Sequence, residues 1–162
     1  MTFKRISTNF LRAVIVFIGL GALAFCIFAL PSAWRGGSAE FPMATNAILL
    51  IAIALYLSVV PFFIALWQSM NLLSYIDQNT AFSELSVTAL RNIKYCAIAI
   101  TVLGLACVPL LFPIADADDA PGLVLIGGIL ACSPLVIAVF AAVLQTLLQN
   151  AIDLKAENDL TV

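Results

Sequence analysis

Apolar positions gather into four long runs along this chain, at about 11–30, 46–67, 95–114 and 123–148. A membrane-spanning helix needs about 20 mostly apolar residues, and each run has that length. No charged residue lies in the middle of any run; Arg12 stands at the edge of the first. Backbone groups left unpaired in hydrocarbon are costly, so each run predicts a helix rather than a loop or an open strand. Pro31 is expected to end the first helix, with a loop over 32–45 and a second over 116–122. The fold class expected is therefore all-α and integral to the membrane. It is a four-transmembrane-helix bundle forming a single domain over 1–162, with the second, third and fourth helices extended into the cytoplasm. A loop over 68–94 and a tail over 149–162 complete the layout.

Composition agrees with that pattern and strengthens it. Hydrophobic residues make up 64% of the chain and charged residues 10%, against about 45–50% and 25% in soluble domains. A soluble fold of this size could not hide so much apolar surface, so the surplus faces lipid. Six of the seven lysines and arginines (Lys4, Arg5, Arg12, Arg91, Lys94 and Lys155) fall on one side of the four spans, and Arg35 alone on the other. By the positive-inside rule, both termini and the 68–94 loop are cytoplasmic, in a bacterial inner membrane. Lys4 and Arg5 before an apolar run also resemble a signal peptide, but the run is longer than usual and no A-x-A site follows, so it reads as a retained span.

The chemistry available is sparse. The chain has no histidine, which removes histidine metal sites, Ser–His and Cys–His nucleophile pairs and a histidine pH switch. Cys26, Cys96, Cys107 and Cys132 lie in or beside apolar runs with no CxxC spacing, and read as small buried hydrophobes. Gly19, Gly21 and Ala24 match a GxGxxA spacing, but no strand precedes them, so no dinucleotide site is expected. No cofactor and no metal is expected, and the chain is not expected to be an enzyme. A net charge of −2 gives no ground for direct nucleic-acid binding.

Small residues at helical spacing predict where helices touch. Ala97, Thr101 and Gly104 share one face of the third run; Gly128 with Cys132, and Ala138 with Ala142, mark the fourth. Pro61 and Pro134 should bend their helices and free carbonyls for neighbouring helices to satisfy. Short outer loops pair the first run with the second and the third with the fourth. The same small-residue faces leave a homo-oligomer open as an alternative use.

Two segments on the cytoplasmic side are more patterned than connectors require. The second helix should run past Trp67 to Asp77 and break at 78–80; Ser83 then caps a helix with Glu84 in its first turn. The fourth helix should emerge past Gln149 with Leu147, Leu148, Ala151, Ile152 and Leu154 as an apolar stripe, and Leu160 and Val162 could form a short extended end that adds to a sheet edge.

These two segments carry a family resemblance. The stretch from Leu73 to Ile93, with its Phe82-Ser83 step and its Leu90-Arg91-x-Ile93 pattern, resembles the inner loop of a bacterial membrane family known as domain of unknown function 2975. The ending Lys155-x-Glu157-Asn158-Asp159-Leu160-Thr161-Val162 is similar to that family's characteristic tail. Where the family usually has a glycine before the Phe-Ser/Thr step, this chain has Thr80-Ala81. The resemblance implies a genomic neighbour, a very small lambda-repressor-like helix-turn-helix protein. It thus implies a membrane-embedded regulatory protein that binds or sequesters that cytoplasmic transcription regulator. The residues expected to touch it are Phe82, Ser83, Arg91, Lys155, Glu157, Asn158, Asp159, Leu160 and Val162. The alternative is a small transporter or channel subunit, or an accessory subunit of a larger membrane complex. Glu40, Asp116, Asp118 and Asp119 on the opposite side give an acidic rim, readable as a solvated loop or as a ligand-sensing surface.

Overall fold

The computed structural model describes residues 2–78 and 80–160, with side chains described for 8–78 and 80–158. Among these residues the fold is helical throughout. Helix α1 (Thr2–Ala24) passes through a π-helical turn at Phe25–Ala29 into α2 (Leu30–Glu40). A short 3-10 turn, Pro42–Ala44, leads to α3 (Thr45–Asp77). Helix α4 (Glu84–Cys107) continues through a 3-10 turn at Val108–Leu111 into α5 (Phe112–Ala117), and α6 (Gly122–Leu160) closes the chain. Four spans long and apolar enough to cross a membrane result: Thr8–Glu40, Pro42–Asp77, Glu84–Ala117 and Gly122–Asn158.

Helices α3 and α6 have 33 and 39 residues. At 1.5 Å per residue they are about 50 and 58 Å long, against a hydrocarbon core of about 30 Å. Both therefore stand well clear of it, as expected. The packing is the inverse of a soluble core. The buried apolar residues are mostly alanines, among them Ala89, Ala97, Ala138 and Ala141, while large side chains such as Phe17, Phe28 and Ile129 point outward. Only lipid makes that arrangement stable.

Pro31 does not end the first helix. It stands in the first turn of α2, directly after a π-helical turn, and the chain stays helical to Glu40 rather than opening into a loop over 32–45. The π-helical turn just before it explains how. There the Leu30 N–H reaches back five residues to the Phe25 carbonyl. In that register the Cys26 carbonyl would need a donor at position 31, where proline has none. The Tyr56 hydroxyl of α3 donates to that carbonyl at 3.1 Å. A proline-freed carbonyl satisfied by a neighbouring helix was expected at Pro61 or Pro134; the structure shows one at Pro31.

The first two spans form an antiparallel hairpin whose contacts step down one helix as they step up the other. Arg12 meets Ser74 and Asp77, Gly19 lies against Phe63 and Leu66, and Gly37 against Ile48. The last two do the same: Glu84 meets Gln149, Lys94 meets Gln145, and Gly104 lies on Ala131. Helix α4 also packs along α3, so the principal seams run α1–α3, α3–α4 and α4–α6.

Ala97 and Thr101 are buried as expected, and a Cβ built at Gly104 would lie 3.1 Å from the Ala131 Cβ and 3.2 Å from its Cα. The expected face of α6 needs correction, however. Ala131, Ala138 and Ala141 line the seam; Gly128 has open space where a Cβ would go, and Cys132 is exposed. Gly128 and Cys132 are one position out of register with that seam, and one position turns a helix by about 100°. The structure thus sets its own comparison. Gly104→Leu should lower stability in detergent by about 1–3 kcal/mol through overpacking. Gly128→Leu should change it by less than about 0.5 kcal/mol, as an exposed substitution does. Thermal unfolding of both variants would check this, and equal losses would remove Gly104 from its place in the seam.

Candidate functional site

Among the described residues, the hydrogen bonds between side chains of different helices gather at the end carrying the basic residues. Arg12 lies at the edge of the apolar run of α1. Its guanidinium reaches α3, donating to the Ser74 hydroxyl at 3.1 Å and pairing with the Asp77 carboxylate at 2.9 Å. Both charged side chains are partly buried, 36% and 27% exposed, so this pair is less screened than a surface one. On the far side of the fold, the Lys94 ammonium donates to the Gln145 side-chain carbonyl at 2.9 Å, with the Tyr95 ring 5.1 Å away. One turn further along α6, the Gln149 amide donates to Glu84 at 3.2 Å and to Asp153 at 3.4 Å.

Helix α3 ends where expected. Thr80 turns the chain back, its N–H and its hydroxyl both donating to the Tyr75 carbonyl, at 2.9 and 3.2 Å. A threonine side chain therefore makes the turn here. Ser83 occupies the N-cap position of α4 in extended conformation. Its carbonyl accepts from the N–H groups of Ser86 and Val87, but its hydroxyl makes no capping bond and is buried without a protein partner. Ser83 is thus a cap by backbone position and not by side chain. The hydroxyl of Ser86, a fully buried residue, is likewise unpartnered.

Of the residues expected to meet a partner, Phe82 is 65% exposed, while Arg91, Lys155, Glu157 and Asn158 are exposed on α4 and α6. The Glu84–Gln149 contact brings the Phe82–Ser83 step to the base of the tail helix. Arg91 shares a helix face with Glu84, two turns along α4. The tail is helical through Leu160, so the extended, strand-adding end expected at Leu160 is not formed. The run of favourable helix formers from Leu154 to Glu157 carries the helix on. The side chains of Asp159 and Leu160, and Val162 altogether, lie outside the described residues. Leu147 and Leu154 of the predicted stripe are exposed, whereas Leu148, Ala151 and Ile152 turn partly inward. Sequence reasoning missed the Arg12–Asp77 and Lys94–Gln145 contacts. Their signal was an ionisable residue at each span edge, opposite a polar one in the antiparallel partner. No group of three or more metal-ligating side chains occurs among the described residues.

The family of proteins of unknown function DUF2975 has a model that matches residues 4–162. The chain belongs to that family. It is 50% identical over 159 residues to the uncharacterized membrane protein YoaS of Bacillus subtilis (strain 168), covering 98% of this chain and 99% of that protein. No solved structure matches the chain. Membership of this family and the likeness to a membrane protein agree with the four spans. They also make the polar contacts at the basic end features of a membrane fold, set where helices leave hydrocarbon.

A double-mutant cycle tests the ion pair that fastens α1 to α3. Arg12→Gln and Asp77→Asn should each destabilise the detergent-solubilised protein, with a coupling of about 0.5–1 kcal/mol that shrinks in high salt. Additive losses would show that the two side chains do not act together.

Proposed function

We propose that this protein is a non-enzymatic docking platform in the bacterial cytoplasmic membrane, and that its basic end binds a small helix-turn-helix transcription regulator. The observation that carries the reading is the meeting of the two patterned segments. Gln149 ties the start of α4 to the base of the tail, and α6 then continues as an exposed helix bearing Leu154, Lys155, Glu157 and Asn158. A helix that projects beyond its neighbours with an apolar position among charges is suited to lie in a groove of a partner protein. Its charges are of mixed sign, with Asp153, Glu157 and Asp159 outnumbering Lys155, which favours a protein over direct contact with phosphate backbones. The identity of the partner rests on the family resemblance in the loop and the tail.

The orientation rests on the basic residues. With six of seven lysines and arginines at one end, both termini and the α3–α4 connection face the cytoplasm. An alkaline phosphatase fused after Glu157 should be inactive and one inserted after Ser38 active; the opposite pattern would invert the assignment. A transport role finds less support. Two intramembrane crevices, one between α3, α4 and α6 and one beside the first span, are lined without a charged side chain, so an ion passing there would lose its hydration uncompensated.

Co-purification tests the docking itself. The full chain, a chain ending after Asp153 and the variant Leu154→Glu are expressed with the neighbouring genes and purified in detergent. Ending after Asp153 keeps the Gln149 contacts and leaves the spans intact. The regulator should elute with the full chain and be lost from both variants. Retention by the truncated chain would remove the tail from the interface, and a full chain that brings down no regulator would end this reading.

A further inference from the structure

We propose that the fold holds one acyl chain of a bilayer phospholipid in a crevice inside the membrane, against Leu55, Ser58 and Ile100. Two apolar cavities, of about 350 and 200 Å³, share these three residues. The larger lies between α3, α4 and α6 and reaches Gly104, Ala131 and Pro134; the smaller lies between α3, α4 and the first span and reaches Ala22, Phe25 and Cys26. Helices α3 and α4 thus form the back wall of a trough, with α1 and α6 as its sides. Among the described residues α1 and α6 share no packed seam, so the trough opens between them. The opening lies at the depth of Leu55 and Ile100, well inside two spans, where the surrounding medium is hydrocarbon.

The occupant follows by elimination. Water needs two to four polar partners, and the shared lining offers one hydroxyl, that of Ser58, which already donates to the Leu55 carbonyl at 2.7 Å. A helix of a second protein, about 10 Å across, is too wide for a space of this volume. An empty crevice would forfeit dispersion contacts along both walls, which matter most where lipid provides no other drive for packing. A single hydrocarbon chain is narrow, apolar and already present outside the opening. The larger cavity reaches Cys107, Val108 and Leu111 at the end of α4 toward the acidic loops, so the chain belongs to a lipid of the leaflet on that side.

Photolabelling of the wild-type chain tests the assignment. The full protein is reconstituted in phosphatidylethanolamine–phosphatidylglycerol vesicles containing a trace of phospholipid with a diazirine halfway along one acyl chain. After irradiation, adducts are mapped by peptide mass spectrometry. Adducts should concentrate several-fold at Leu55 and Ile100 over the bilayer-facing Ile53 and Phe17, although both of those are more exposed. Ser58→Phe, which fills the shared floor, should abolish that excess while labelling at Phe17 persists, showing that the fold survives. Adducts distributed by exposure alone would overturn the site. Labelling of Leu55 and Ile100 by a diazirine free fatty acid but not by the phospholipid would overturn the assignment to a bilayer lipid.

Discussion

Hydrocarbon gives two apolar helices no reason to prefer each other to lipid, so their association depends on how closely their backbones can approach. Gly104 against Ala131 meets that constraint most directly, because even one added carbon at Gly104 would press on the Ala131 backbone. The alanines along the same seam extend the approach over several turns: Ala97 on α4, and Ala138 and Ala141 on α6. The bulky residues are left to lipid. This explains why so apolar a chain has so small a core, and why the seams of α4 dominate the packing while α1 is held more lightly.

Where close approach is weaker, polar contacts take over. Helix α1 meets α3 through a modest seam at Gly19, where a Cβ would find only ordinary contact with Leu66 and Phe63. It is fastened instead near its two ends, by Arg12 on Ser74 and Asp77 and by the Tyr56 hydroxyl on the Cys26 carbonyl. The second of these costs the helix little, since Pro31 had already left that carbonyl in need of a donor. In a low-dielectric medium such bonds gain strength, and a carbonyl left unpaired there would be expensive. The smaller crevice opens beside the second of these contacts, with Cys26 itself in its lining.

How much of this was legible in the sequence depends on the length scale of the signal. Spans of about 20 apolar residues are set by bilayer thickness alone, so the four helices and their hairpin pairing could be read directly. The Ala97–Thr101–Gly104 face could also be read, because helical spacing fixes which residues share a side. The partner face on α6 could not. Gly128 and Gly127 are adjacent glycines on different sides of one helix, and composition cannot say which side meets α4. The loop after Pro31 failed for a local reason: proline is acceptable in the first turn of a new helical segment, and the π-helical turn at Phe25–Ala29 that prepares it has no clear mark in the residues. Ser83 was placed correctly, but its backbone rather than its hydroxyl does the capping.

The candidate site is a consequence of the same physics. Once the spans are packed through small residues, polar side chains can meet only where helices leave hydrocarbon, and here they meet at the basic end. Arg12–Asp77 and Lys94–Gln145 lie at that edge; Glu84–Gln149 lies a turn beyond it. Each contact joins the two helices of one hairpin, so the α3–α4 connection is bracketed by a fastened pair on either side. The connection carries Phe82, an aromatic ring exposed beside fixed neighbours rather than on a free loop. Helix α6 then continues past the last of these contacts, exposed from Asp153 to Asn158. A partner that recognised Phe82 and the projecting helix together would therefore read the relation between α4 and α6, which is set inside the membrane by Gly104 and Ala131. The spacing of that seam thus bears on how the exposed faces of α4 and α6 stand to one another beyond the membrane.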